Sequence, residues 1–132
     1  PRHPWSARGA VSGSELPALP LILRERGSGS RKDMEEAFAE MGLSPEELNV
    51  IADFNSFEAI KQAVHANLGA ALISRLAVKG ELEQGLLNCI RIEGADLSRD
   101  IYAATLPDAR LTEAASCLLQ IVYKELADFH LD

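Results

Sequence analysis

The chain has 132 residues, of which 47% are apolar and 25% charged, and this composition fits one globular domain and excludes a disordered chain or a coiled coil. A net charge of −7 with a pI near 4.9 argues against a nucleic-acid surface on the chain. No apolar run approaches the roughly 18 residues of a membrane span and no signal peptide opens the sequence, so we expect a cytoplasmic location and no membrane partner.

Strand and helix patterns alternate along the first half of the chain. After a turn-like start, an apolar run at residues 19–24 predicts a buried strand. Residues 27–30, Gly-Ser-Gly-Ser, are a flexible turn, and apolar residues at helical spacing predict a helix over residues 31–41. We expect Ser30 to cap this helix and Gly42 to end it in the left-handed conformation.

A second strand and helix follow in the same order. Residues 48–54 predict the strand, and Asn55 is the expected cap of a helix whose apolar stripe begins at Phe57. Asn67 and Gly69 mark the end of the helix, because both residue types tolerate a positive φ.

The remaining sequence predicts further elements of both kinds. They are strands at residues 69–73, 86–92 and 99–106 and a brief helix at residues 75–78. Thr112 is the expected cap of a long final helix. The apolar stripe of that helix consists of Ala115, Leu118, Leu119, Val122 and Leu126. Alternating strands and helices imply parallel pairing with right-handed crossovers, so the predicted class is α/β, with a mostly parallel, doubly wound sheet between two helical layers.

The turn at residues 27–30 is the first candidate site. Ligands of doubly wound sheets bind at the carboxyl ends of strands, and a helix start offers free N–H groups with a partial positive charge. The hydroxyls of Ser28 and Ser30 add donors, so the turn indicates either a carboxylate or oxyanion site or only a flexible connector with a cap. Lys32 stands where a dinucleotide fingerprint has its third glycine, and the sequence contains neither a P-loop nor a nucleophile elbow.

Asn55 and Ser56 form the second candidate, again between a strand and a helix start. If the first two strands are parallel, both helix starts open on one edge of the sheet and face one crevice. Helix capping alone explains the same two residues.

No pattern for catalysis or metal binding is visible. Cys89 and Cys117 are too few for a disulfide framework or a four-cysteine zinc site, and we interpret them as buried thiols. The three histidines do not combine with Ser, Cys or Asp at catalytic or metal-ligand spacing. We expect no catalytic residue, no metal and no cofactor.

Five segments occur in an order that resembles a known family. They are residues 23–31 (LRERGSGSR), 54–64 (FNSFEAIKQAV), 68–74 (LGAALIS), 85–87 (GLL) and 111–115 (LTEAA). This order resembles the effector-binding domain of LysR-type transcriptional regulators. The family usually has glycine where Asn67 stands, and asparagine is the best substitute at a left-handed position.

The resemblance implies the ligand-sensing part of a bacterial LysR-type regulator with the type II periplasmic-binding-protein fold. Residues 1–18 would be a lead-in or hinge, residues 19–98 the second subdomain, and residues 99–132 a hinge strand and a helix returning towards the first subdomain. That first subdomain and the DNA-binding helix-turn-helix are expected to be missing from this sequence. DNA would therefore be bound only through the missing N-terminal domain.

The resemblance also implies a site and partners. One wall of the ligand cleft, and with it the contacts to a small anionic effector, would be formed by Ser28, Gly29, Ser30, Asn55 and Ser56. The parent would be a homo-oligomer, and exposed helices could let this chain self-associate. The stripe of the final helix would need a partner other than the missing subdomain. An enzyme or a solute-binding protein on the same fold is the alternative, since fold alone does not determine function.

Overall fold

The computed structural model describes residues 3–98, 102, 104 and 110–127. The chain divides into two compact units, Pro1–Ser98 and Arg99–Asp132. In the described part, the strands are β1 (Ala10–Ser12), β2 (Leu21–Arg24), β3 (Val50–Phe54), β4 (Ala70–Ala71) and β5 (Arg91–Glu93). The helices are α1 (Gly29–Glu40), α2 (Phe57–His65), α3 (Lys79–Glu83) and α4 (Glu113–Ala127). Short 3₁₀ helices cover Pro4–Ala7, Gly13–Ala18, Pro45–Glu47 and Arg75–Val78.

The first unit is built around a three-stranded parallel sheet in the order β3-β2-β4. Leu21 pairs with Val50 on one side and with Ala70 on the other, which makes β2 the central strand. An irregularity between Leu21 and Ile22 shifts the register of β3 by one residue. The parallel strands joined by α1 and α2 confirm the predicted α/β class.

Helices cover both faces of this sheet. Leu21 and Leu23 of β2 pack in one buried cluster with Met34 and Phe38 of α1. Ile22, which points to the other face, packs in a second cluster that includes Ile60 and Ala63 of α2. A strand buried on both faces reads as a continuous apolar run, which explains the sequence of β2 and confirms the three-layer arrangement.

The helices α1 and α2 begin at a different cap from the one predicted. The cap of α1 is Ser28, whose Oγ accepts a hydrogen bond from the Arg31 amide at 3.3 Å, whereas Ser30 lies inside the first turn. The cap of α2 is Ser56 rather than Asn55. The helix over residues 31–41 starts earlier than its apolar spacing shows, because the glycine in its first turn carries no side chain to reveal the periodicity.

The predicted helix ends are largely correct. Gly42 follows α1 with a φ of 78°, and Asn67 follows α2 with a φ of 61°, so both occupy the left-handed region as expected. Gly69 does not have a positive φ. Its lack of a side chain serves a different purpose, because a Cβ there would overlap the carbonyl oxygen of Pro20.

The sequence missed β1 and overestimated the length of two strands, of which the one expected at residues 69–73 is formed only as β4, Ala70–Ala71. The start of the chain, expected to be turn-like, contains β1, which pairs in parallel with β5. The strand expected at residues 86–92 is formed only at its end, since β1 offers three residues as partners. Residues 86–90 instead leave α3 through a turn in which the Leu86 and Leu87 amides donate to the carbonyl oxygen of Glu81. The strand predicted at residues 99–106 falls almost entirely outside the described residues.

The cysteines also differ from expectation, since both Cys89 and Cys117 are exposed. Cys89 lies in the irregular segment before β5, and Cys117 lies on α4. Cysteine is a residue type that is usually buried, but Cys89 belongs to neither of the core clusters of the first unit.

In the second unit, Thr112 starts α4 as predicted. Its Oγ1 accepts the Ala115 amide at 3.2 Å, and its carbonyl oxygen accepts the Ser116 amide at 2.9 Å. Of the predicted stripe, Leu118 and Val122 are exposed, and the side chain of the last member lies outside what is described. Over the described residues, the helices are too short or too polar to cross a membrane.

Candidate functional site

Both candidate segments follow the carboxyl ends of neighbouring parallel strands. α1 starts after β2 and α2 starts after β3, so the two helix starts open on the same edge of the sheet. The bodies of these helices pack on opposite faces. A ligand that reached both starts would therefore lie beyond the ends of the strands, where doubly wound sheets bind their ligands.

At the start of α1, the predicted residues supply hydrogen-bond donors. Ser28 and Ser30 are half-buried and Gly29 is exposed. The Arg31 amide is satisfied by the cap, and the Lys32 amide donates to the Ser28 carbonyl oxygen at 3.1 Å. The amides of Gly29 and Ser30 have no acceptor among the described residues, which leaves them available to an anion.

The start of α2 repeats this pattern. The side chain of Ser56 accepts a hydrogen bond from the Ala59 amide at 3.5 Å. The amides of Phe57 and Glu58, which lie between these two residues, have no acceptor in the described part of the chain. Asn55 is exposed and, since it is not the cap, its carboxamide is not engaged by the helix. The carboxylate of Glu58 would repel an anion here, but it pairs with Lys61, whose Nζ lies 2.5 Å from Glu58 Oε1.

Two arginines that are not among the five predicted site residues hold this edge together. Arg31 in α1 is 7% exposed, and its Nη1 donates to the carbonyl oxygen of Arg24 at 3.0 Å. Its Nε donates to Glu35 at 2.8 Å. The position of Arg31 in the sequence indicates its burial, because Arg31 precedes Met34 by three residues and Phe38 by seven and so lies on the same helix face.

The second of these arginines, Arg24, ends β2 and contacts the beginning of α2. Its guanidinium lies 4.5 Å from the centroid of the Phe57 ring, a cation–π distance. Its Nε and Nη2 donate to both carboxylate oxygens of Glu25, at 2.8 and 3.0 Å. These hydrogen bonds lower the pKa of the Glu25 carboxyl and raise the pKa of the Arg24 guanidinium, so the pair remains charged over the physiological range.

A cleft of about 660 Å³ lies on the side of α1 that faces β3. Gly29 is the one predicted site residue that lines it; Ser28, Ser30, Asn55 and Ser56 do not. The charged residues of its lining are Arg26, Arg31, Lys32, Glu35, Glu46 and Asp53. Three positive and three negative side chains do not favour an anion, so this cleft differs in chemistry from the edge formed by the two helix starts.

The edge therefore offers backbone N–H groups, serine hydroxyls and one carboxamide. This donor set suits a small oxyanion. Within the described residues, no three His, Cys, Asp or Glu side chains are placed to share a metal ion.

Comparisons with known proteins point to one family. The family model described as LysR substrate binding domain matches residues 1–127. The chain is 34% identical over 128 residues to the HTH-type transcriptional regulator CbbR of Xanthobacter flavus, covering 96% of this chain and 38% of the relative. It is 31% identical over 126 residues to the RuBisCO operon transcriptional regulator of Acidithiobacillus ferrooxidans, covering 96% of this chain and 40% of the relative.

A solved structure has the same fold. The regulatory domain of CcmR from Synechocystis PCC6803, in complex with 2-PG, matches with a TM-score of 0.77 and 23% identity. The match covers 97% of this chain and 60% of that chain. The chain thus spans well under half the length of the two curated relatives described above.

Proposed function

Since the chain belongs to the LysR substrate-binding domain family, we propose that its two helix starts form one wall of a site for a small anionic effector. The residues that would bind it are Ser28, Gly29, Ser30, Asn55 and Ser56, together with the free amides of Phe57 and Glu58. The chain acts in this proposal as a sensor and not as an enzyme, which agrees with the naming of its relatives as transcriptional regulators.

One observation carries the proposal. Two serine-capped helices start at the carboxyl ends of adjacent parallel strands, and each start presents two amides without an acceptor in the described chain. Each helix start also carries about half a positive charge from the aligned peptide dipoles. Two such starts on one edge favour a ligand with two anionic groups.

We propose 2-phosphoglycolate, or a close chemical relative, as the effector. It carries a phosphate at one end and a carboxylate at the other, so each anionic group could meet one helix start. Support comes from the ligand of the CcmR regulatory domain and from relatives that are named as RuBisCO regulators.

Within the full regulator, this chain would supply half of the ligand cleft. Residues 1–18 would act as a hinge segment, residues 19–98 as the second subdomain, and residues 99–132 as the return to the first subdomain, on which the exposed Leu118 and Val122 of α4 would pack. Effector contacts to both subdomains would favour one arrangement and so bias the DNA-binding domains of a cytoplasmic dimer.

The test is a titration of this chain with 2-phosphoglycolate, followed by amide chemical shifts. Shifts confined to the amides of Gly29, Ser30, Phe57 and Glu58, with a millimolar dissociation constant, are expected because one wall offers only part of the contacts. Ser30→Ala should weaken binding, whereas Ser14→Ala, at an exposed serine of the lead-in, should not. Micromolar binding to this chain alone would contradict the half-cleft arrangement, and unchanged shifts at these amides would contradict the site.

A further inference from the structure

The most buried charged group of the described chain adjoins the proposed site without belonging to it. Arg31 is the buried charged residue among the described positions, and its guanidinium is engaged by protein groups on three elements. These are Glu35 on α1 at 2.8 Å, the Arg24 carbonyl oxygen at the end of β2 at 3.0 Å, and Asp53 near the end of β3 at 3.9 Å. Its Nε and Nη1 are therefore engaged by protein groups and not by an effector.

From these contacts we infer that Arg31 is a positioning residue that fixes the start of α1 relative to the start of α2. The inference rests on the proposed function for its role in effector binding. Arg31 is the third residue of α1 and binds the backbone of the strand that precedes it, so it fixes the angle at which the Gly-Ser-Gly-Ser turn leaves the sheet.

The coupling to the second helix passes through the next arginine. The residue whose carbonyl oxygen accepts from Arg31 is Arg24, and the side chain of Arg24 lies over the ring of Phe57, the first residue of α2. Glu25 holds that guanidinium through two hydrogen bonds. A displacement of α1 at its start is thus transmitted through the end of β2 to the start of α2.

Lysine does not reproduce this arrangement. The planar fork of arginine serves two or three acceptors in fixed directions, whereas a lysine ammonium acts as a compact point charge on a flexible stem. Arg31→Lys therefore keeps the net charge of the edge and removes the fixed geometry, which separates positioning from simple electrostatic attraction.

The experiment measures amide hydrogen exchange and 2-phosphoglycolate binding in the wild type and three variants. The reporters are the Lys32 amide for α1 and the Ile60 amide for α2, since both donate to the carbonyl oxygen of their cap residue. Arg31→Lys should speed exchange about tenfold at both reporters, as expected for loss of one charge-assisted hydrogen bond, and should weaken binding several-fold. Its salt dependence of binding should not change, because the charge is retained.

Arg24→Lys should speed exchange at Ile60 but not at Lys32, because the backbone carbonyl that Arg31 uses is still present. The matched control is Arg8→Lys. Arg8 lies in the lead-in segment, donates two hydrogen bonds to the carboxylate of Glu15 and lies over the ring of Trp5. This variant should alter neither reporter.

Unchanged exchange at both reporters in Arg31→Lys would overturn the inference. Faster amide exchange at the same factor over the whole sheet would overturn it too. If Arg31→Lys does not fold, unchanged exchange at Ile60 in Arg24→Lys would still overturn the inference, because the proposed link to α2 passes through Arg24. If the wild type does not bind 2-phosphoglycolate while the exchange pattern is as expected, the proposed function fails and the coupling is supported.

Discussion

Replacing Gly69 by alanine tests a close backbone approach beside the three-stranded sheet. Gly69 is buried immediately before β4, and an added Cβ would overlap the Pro20 carbonyl oxygen and come within 3.4 Å of Ile51 Cδ1. That carbonyl cannot turn away freely, because it accepts the Ala70 amide at 2.9 Å. Gly69→Ala must therefore separate β4 from β2.

The expected loss of stability combines two effects. Overpacking in a well-filled interior costs about 1–3 kcal/mol. Loss of the hydrogen bond between Ala70 and Pro20 adds about 1 kcal/mol. The sum of about 2–4 kcal/mol is a large part of the roughly 5–15 kcal/mol by which a domain is stable. With a urea dependence of roughly 1.5 kcal/mol/M, the midpoint of unfolding should fall by about 1–3 M.

Urea denaturation followed by circular dichroism measures this shift. Gly9→Ala is the matched control, because nothing lies within 4 Å of a Cβ at Gly9, and it should change the free energy of unfolding by less than about 0.5 kcal/mol. If Gly69→Ala unfolds at the same midpoint as this control, then the strand spacing at Pro20 is looser than the structure indicates and the reasoning is refuted.

Three further predictions concern single residues. A hydrogen bond from Arg8, helped by the Ser12 amide, lowers the pKa of Glu15 from 4.5 to about 2, so this carboxylate contributes stability above about pH 4.5 that is lost as pH falls towards 2. The difference in urea midpoint between wild type and Glu15→Gln should therefore close over that range, and a constant difference would contradict the interpretation. Asn67→Ala should cost about 1 kcal/mol in chemical denaturation because of its left-handed φ, while Asn67→Gly should cost nothing. Ser28→Ala should lower thermal stability by about 1 kcal/mol through loss of the cap, and equal losses for Ser28→Ala and Ser30→Ala would show that the cap is wrongly assigned.

The sequence predicted the central layers well because those layers depend on local patterns. The apolar run of β2 specifies a strand buried on both faces, and the spacing of Met34 and Phe38 specifies the face that α1 turns towards it. Once two strand–helix units are recognised, parallel pairing and the edge at which the helices start follow from chain geometry. The neighbourhood of the five proposed site residues was predictable for this reason.

Features that a pattern of apolar residues does not record were not predictable. The length of β5 is set by β1, which lies some eighty positions earlier, and nothing in residues 86–90 records that limit. The cap of α1 is Ser28 because the helix begins at Gly29, and a glycine adds no apolar side chain to the helical pattern. The role of Arg31 requires the carbonyl oxygen of Arg24, a backbone group that no residue type reveals.

The pairing of β1 with β5 has a consequence for protein engineering. Ala10 lies opposite Arg91 and Ser12 opposite Glu93, so the backbone enters and leaves the sheet-bearing part of the first unit at neighbouring points and in the same direction. Residues 13–90 therefore form one continuous segment, whose two ends are joined by the main-chain pairing of β1 with β5. A host protein with two neighbouring parallel strands about 4.8 Å apart could therefore receive this segment as a domain insertion.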